Sequence, residues 1–262
     1  MDPRISLIKE YYCDLPRDRA KVETRVFGFG LLDRLASDGI VLEYGELTLS
    51  GLLHKYKLAN IPQHAFDPLL ESHVGGHCNV CLYFDDRANS VFCLNLDNNH
   101  KTDNTALIPE MEIAVQAVRE TLGQVGCEPL VVASGRGYHI WGRVERPVPN
   151  ADLYEFMMRT SVLTMARIRD DGRDHLRVKF NVYPDPRTRD TVSLRLFGTR
   201  HAKNGTFSRV LTVGGVLLDE DASWAAFESH LRDGTLTTSG FGRACEALVR
   251  SAPFPLPVPG KP

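Results

Sequence analysis

Residues 128–144 constrain the fold more than any other stretch of the chain. Glu128–Ala133 and Tyr138–Val144 are apolar runs on either side of Ser134-Gly135-Arg136-Gly137. Such runs about a glycine turn read as two strands of a sheet. Further strands are expected over Asn79–Phe84 and Val91–Leu96, which the turn-rich Asp85–Ser90 would join as a hairpin, and over Leu176–Tyr183. Short strands at Val192–Phe197 and Phe207–Leu211 would flank a polar loop. Pro109 opens a helix to about Gly123, with Ile113, Ala117, Val118 and Leu122 on one face. A long helix runs from Asp152 to about Arg169 behind an Asn150 cap. Shorter helices are expected over Ala222–Leu231 and Ala244–Arg250.

Before residue 76 the pattern reads as mainly helical, over Ser6–Tyr12, Val26–Ser37, Leu47–Tyr56 and His64–His73, the last stopped by Gly75 and Gly76. The end of the chain, SAPFPLPVPGKP, reads as a proline-rich linker that would tether the module to something larger. The expected organisation is an accessory region over 1–75, a core over 76–215, a helical region over 216–250 and a linker over 251–262. No internal repeat is evident.

At 262 residues, with 43% hydrophobic and 24% charged residues, the chain can bury a core without staples. Six cysteines in this length do not make a secreted disulfide framework. No apolar run is long enough to span a membrane, and the charged N-terminus lacks a signal-peptide core. These features predict a cytoplasmic protein with no membrane partner. The net charge of −2 excludes nucleic-acid binding through the whole surface and leaves a local basic patch as the route.

Three segments carry chemistry. In VFCLNLDNN (91–99) an apolar strand ends in Asp97, where a carboxylate could hold a hard cation, although many strands end in Asp at a turn. In VVASGRGYHIWG (131–142) Ser134, Gly135, Arg136 and Gly137 make a turn whose amides and hydroxyl suit a phosphate, with His139 beside it; a plain hairpin is the structural alternative. In YPDPRTRDTVSLRLFGTRHAKNG (183–205) a strand delivers Asp185, and Arg195, Arg200, His201 and Lys203 follow. Such a basic cluster suits a triphosphate, or is simply a solvated loop.

Together and in this order, the segments resemble the motifs of the archaeo-eukaryotic primase superfamily. SGRGYH is similar to its Ser-Gly-x-Gly-x-His motif. RLFGTRHAKNG is similar to its third-motif stretch at Arg195, Leu196, Gly198, His201, Lys203 and Gly205, with Thr199 for serine. The resemblance covers about residues 77–212. It implies an α/β fold: an RRM-like catalytic sheet and a second small sheet with flanking helices. It also implies a primase or primase-polymerase that joins nucleoside triphosphates on a single-stranded or primed DNA template by attack of a 3′-hydroxyl, with Mg²⁺ or Mn²⁺. Asp97 and Asp185 would be metal ligands. Ser134 and His139 would contact the nucleotide phosphates, and Arg195, His201 and Lys203 would line the triphosphate pocket. A plasmid, phage, mobile-element or defence setting, and a helicase or other domain beyond the linker, would fit.

One position departs from the family. Its first motif carries two carboxylates, whereas this chain has Asn95 and Asp97. An amide offers a neutral oxygen and no charge. Either Asn95 serves as a metal ligand, or another carboxylate substitutes (Asp85 or Asp103), or the chain is a primase-derived nucleotide- or nucleic-acid-binding module without efficient chemistry. A metal-dependent nuclease of other ancestry is a third reading, against which the basic cluster argues. Cys78 and Cys81 have zinc-like spacing, and His77 and Cys93 could join them if the expected hairpin brought them together, but buried thiols are the favoured reading. Among the upstream histidines, assigned to packing or surface, His73 is the strongest exception.

Overall fold

A computed structural model describes residues 2–24, 30–37, 40–45, 54–98, 109–135, 137–172, 178–187, 193–200 and 205–253. The chain divides into two compact units. One comprises Met1–Asp85 with Asp190–Ser208, the other Asp86–Arg189 with Arg209–Pro262. The expected core over 76–215 is thus shared between them, and the segment around Arg195 belongs with the N-terminal unit.

The N-terminal unit is not mainly helical. Helices α1 (Pro3–Tyr11), α2 (Gly30–Ser37) and α3 (Gln63–Val74) accompany strands β1 (Arg19–Thr24), β2 (Val41–Gly45), β3 (His54–Ala59) and β4 (Asn79–Tyr83). With β9 (Ser193–Arg195) the strands form an antiparallel sheet ordered β2-β3-β1-β4-β9. Strand β1 alternates buried Ala20, Val22 and Thr24 with half-buried Arg19, Lys21 and Glu23, the period-two signature of a sheet with one covered face. The expected helix over 47–56 ends in β3, and its residues 47–53 lie outside the described set. Ile5, Ile8 and Tyr11 of α1, and Leu69 and Leu70 of α3, build the core with Val22 and Val80.

The second unit holds β5 (Ala88–Asn98), α4 (Pro109–Gly123), β6 (Leu130–Ala133), β7 (Gly137–Pro149), α5 (Asn150–Asp170), β8 (Val178–Tyr183), β10 (Arg209–Val210), α6 (Glu220–Asp233) and α7 (Thr238–Ser251). Its sheet order is β10-β6-β7-β5-β8. The run β5-α4-β6-β7-α5-β8, with β5 and β7 central, is the βαββαβ arrangement of an RRM-like sheet, as expected. The sheet of the N-terminal unit, the second sheet expected, likewise has five strands. The proposed hairpin of β4 with β5 does not form: β4 pairs with β1 and β9, whereas β5 pairs with β7 and β8. The apolar face of the RRM-like sheet (Leu94, Leu96, Tyr138, Ile140, Val182) is buried with Met111, Val115 and Val118 of α4 and Leu153, Phe156 and Met157 of α5. Phe92, Phe156 and Phe241 join β5, α5 and α7, with ring centroids 5.2–6.4 Å apart. Asn150 is the first residue of α5 rather than its cap; its side chain is instead buried against Asn89, whose Nδ2 donates to Asn150 Oδ1 at 2.6 Å. No described helix is long and apolar enough to cross a membrane.

Candidate active site on the RRM-like sheet

Alternation puts Asn95 and Asp97 on the face of β5 opposite Leu94 and Leu96. Pairing with β7 sets His139 across from Asn95 and Gly137 across from Asp97. Pairing with β8 sets Asn181 across from Asn95 and Lys179 across from Asp97. His139 also faces Val132 of β6, so one row of side chains crosses four strands. The first two motifs, some forty residues apart in sequence, meet in this row.

The amides organise Asp97. Its Oδ2 accepts from Asn95 Nδ2 at 3.2 Å and from Asn181 Nδ2 at 3.3 Å. Asn95 Oδ1 is buried without a hydrogen-bond partner. A buried orphan oxygen next to a carboxylate fits the oxygen donor set of a hard cation. Tyr183 stands one row along, across from Cys93. Burial first, then the charges of Cys93, Asp97 and Asp185, push its phenol up to about 12, against a hydrogen bond from Asn95. Asp97 and Asp185 therefore both act on one side chain.

Asp185 follows β8 directly. Its Oδ1 accepts the Arg187 backbone N–H at 2.9 Å and Arg187 Nε at 2.9 Å, while Oδ2 accepts Arg187 Nη2 at 2.7 Å. Burial alone would raise the Asp185 pKa; the Arg187 hydrogen bonds outweigh it and hold the carboxyl below its ordinary value. The guanidinium also lies over the Tyr154 ring, 5.4 Å from its centroid.

The turn between β6 and β7 closes through Ser134, whose backbone N–H and hydroxyl donate to the Gly137 carbonyl at 2.8 and 3.2 Å. Gly135 has φ of 98°, which favours glycine. At Gly137 a Cβ would stand 2.0 Å from the Leu96 carbonyl oxygen, so the close approach this glycine permits is to β5. His139 is buried, its ring edge-on to Trp141 at 6.1 Å.

Arg195 lies on β9 of the other unit, across from Cys81. Arg136, His201, Lys203 and Asp103 are outside the described residues. Asp85 ends the N-terminal unit, half-buried. Cys78 and Cys81 are buried thiols of that unit; burial pushes Cys78 up to about 12 and Cys81 further. Cys93, the third sulfur considered with them, is on β5 and buried there. Among the described residues no three His, Cys, Asp or Glu side chains are grouped to hold a metal. Sequence reasoning missed Asn181, Tyr183 and Arg187. The first two share the alternating face of β8 and were legible there; Arg187 is visible only through its geometry on Asp185.

No family model matches the chain, and no curated protein does. Among solved structures it is similar to the polymerase domain of Mycobacterium tuberculosis Ligase D in complex with DNA, at 12% identity and TM-score 0.49, covering 89% of this chain and 88% of that one. It is similar to the AEP domain of the cyanophage S-2L primase-polymerase, at 11% identity and TM-score 0.37, over 88% of this chain and 98% of that one. A third similarity is to the primase RepB′, at 14% identity and TM-score 0.35, over 95% of this chain and 64% of that one. Likeness at these values carries no statement about activity.

Proposed function

We propose that this chain is a nucleotidyltransferase domain of the primase-polymerase type, joining nucleoside triphosphates on a DNA template with a divalent metal. The observation that carries the reading is the β5–β7 register, in which His139 of the SGRGYH motif lies directly across from Asn95, two residues before Asp97. Motif resemblance and sheet pairing thus converge on one row of side chains.

Asp97 and Asp185 would hold the ion, with Asn95 Oδ1 as a neutral third donor. Mg²⁺ or Mn²⁺ supplies charge neutralisation of the triphosphate and lowers the pKa of the attacking hydroxyl when bound. The chain's own part is positioning. Asn95 and Asn181 fix the Asp97 carboxylate by two amide donors. His139 adds an imidazole at the start of β7, and the Ser134 hydroxyl would reach a phosphate by leaving the Gly137 carbonyl to which it donates.

The test is a gel assay with labelled nucleotide, single-stranded DNA and Mg²⁺ or Mn²⁺, with and without primer. Metal-dependent products from the wild type that vanish in Asp97→Ala and Asp185→Ala are expected. Primer-free products would mark a primase. One observation favours a second reading: Asn95 Nδ2 points its N–H at Asp97, an arrangement stable without any cation. A binding module would retain nucleotide affinity and give no product, and Asn95→Asp would gain activity if only the first carboxylate were lacking. Strand cleavage without nucleotides would overturn both readings.

A further inference from the structure

Arg187 occupies the carboxylate that the proposed function gives to a metal. Its fork takes one oxygen with Nε at 2.9 Å and the other with Nη2 at 2.7 Å. Its own backbone N–H takes the first oxygen again, at 2.9 Å. This bidentate pairing fills the lone pairs that lie between the two carboxylate oxygens, the positions a chelated cation uses. Asp97 differs, since the groups that donate to it here are amides, which are neutral.

The pair is also built to open. Arg187 is two residues from Asp185, its side chain is 53% exposed, and that of Asp185 is 12% exposed. Only the guanidinium member of the pair is open to water, which screens the attraction from that side. The guanidinium also has a second contact that does not involve the carboxylate, the face of Tyr154. It can therefore leave Asp185 without being stranded.

We propose that Arg187 is a resident counter-cation on Asp185, which a divalent ion must displace in order to bind. This rests on the metal-binding reading of Asp97 and Asp185. Metal loading would then be an exchange of cations, and each loading event would free a guanidinium next to the same carboxylate. Arg187 is thus a positioning residue that sets metal affinity.

The experiment is a Mn²⁺ titration followed by the spectrum of the free ion, without nucleotide or DNA. It compares wild type, Arg187→Ala, Arg187→Lys, Lys179→Gln, Asp97→Ala and Asp185→Ala. Lys179 is exposed and sits across from Asp97, so its loss removes a nearby charge without vacating a carboxylate. Arg187→Ala should bind Mn²⁺ roughly five- to tenfold tighter than wild type, with Lys179→Gln changing by less than about twofold, because screened charges act weakly through water. Arg187→Lys should fall between, having the charge without the fork. In an Asp185→Ala background the effect of Arg187 should disappear. A second readout is the Arg187 Nε–H resonance, whose exchange with water should accelerate on adding Mg²⁺. Equal or weaker binding by Arg187→Ala, or an equal gain in Lys179→Gln, overturns the inference while leaving the metal site standing. Absence of Mn²⁺ binding from both wild type and Arg187→Ala overturns the metal reading itself.

Discussion

His73 Nε2 lies 2.8 Å from the carbonyl oxygen of Phe197, while its Nδ1 accepts the Val80 N–H at 3.1 Å. The ring is therefore neutral with its proton on Nε2. The Phe197 N–H in turn donates to the Tyr12 hydroxyl at 3.3 Å. Both backbone polar groups of one residue just beyond β9 are thus satisfied by side chains, from α3 and from the end of α1. Asn79 repeats the device at Arg200, donating to its carbonyl at 2.7 Å and accepting its N–H at 3.1 Å. The segment Arg195–Arg200, which carries part of the third motif, is anchored in the N-terminal unit by these contacts. His73, the exception among the upstream histidines, belongs to packing.

Acid should destabilise the protein through the buried His73 and the half-buried His230. Burial drives His73 down to about 4, against its hydrogen bond to the Phe197 carbonyl, and drives His230 of α6 down to about 4 as well. The unfolded chain takes up these protons below about 6.5, but the folded chain does not until about 4. Stability is therefore full above the first value and falls as pH drops across that window, by up to about 3 kcal/mol per histidine. Urea unfolding at pH 7.5, 6 and 5 reads this directly. His73→Gln should flatten part of the slope and His230→Gln another part, whatever their absolute stability. Identical slopes in variant and wild type would refute the assignment.

Two glycines should be intolerant for different reasons. A Cβ at Gly137 would meet the Leu96 carbonyl oxygen at 2.0 Å, and one at Gly142 would meet the Phe92 ring at 2.1 Å. The first obstacle is backbone, so Gly137→Ala must break the β5–β7 ladder beside Asp97, at a cost of about 3 kcal/mol or more. The second is a side chain, so Gly142→Ala should be partly rescued by Phe92→Leu, with a coupling of about 1 kcal/mol or more. Thermal melts of the two singles and the double variant test both. A Gly137→Ala protein as stable as wild type would mean that β5 and β7 are not paired as described.

The RRM-like unit was legible because its signals are local. Pro109 does open α4, Ser134 and Gly135 do lie between β6 and β7, and Val178–Tyr183 does form β8, with Leu176 and Arg177 outside the described residues. The N-terminal sheet was not, because β1 and β3 carry charged residues at Arg19, Lys21, Glu23, Lys55 and Lys57, and what defines them is pairing, of β1 with β3 and β4 and of β3 with β2. The false hairpin has the same origin: a turn-like Asp85–Ser90 suggested local pairing, whereas β4 found its partners in β1 and β9. In the candidate site, Asn95, Asp97 and His139 were readable as motif positions. Asn181 needed a register, and Arg187 needed a side-chain geometry that no spacing specifies.

Asn181 should affect metal use more than stability. It donates to Asp97 Oδ2 from a half-buried position, so Asn181→Ala should cost only about 1 kcal/mol. With one of two amide donors gone, Asp97 loses orientation toward Asn95 and Asp185. On the proposed function, product formation in Asn181→Ala should fall about tenfold at low Mg²⁺ and recover at high Mg²⁺, the pattern of a weakened ligand rather than a lost one. An equal deficit at every Mg²⁺ concentration would show that Asn181 does not act through the ion.

Asn95→Asp should be a metal-dependent stability variant. In the wild type Asn95 Nδ2 donates to Asp97 Oδ2. A carboxylate at 95 removes that donor and sets a second negative charge on the same face of β5, two residues from the first. Like charges raise the pKa values of the pair above those of the unfolded chain. The folded state then binds more protons than the unfolded one, so stability should be lowest near neutral pH, by about 1–2 kcal/mol, and should recover as pH falls through the carboxylate range. A divalent ion relieves the same repulsion without acid and binds only the folded site. Thermal melts at pH 7 should therefore show the variant below wild type without metal and raised by Mn²⁺ more than wild type is. A variant as stable as wild type without metal, or one that Mn²⁺ leaves unmoved, would show that positions 95 and 97 do not share an ion site.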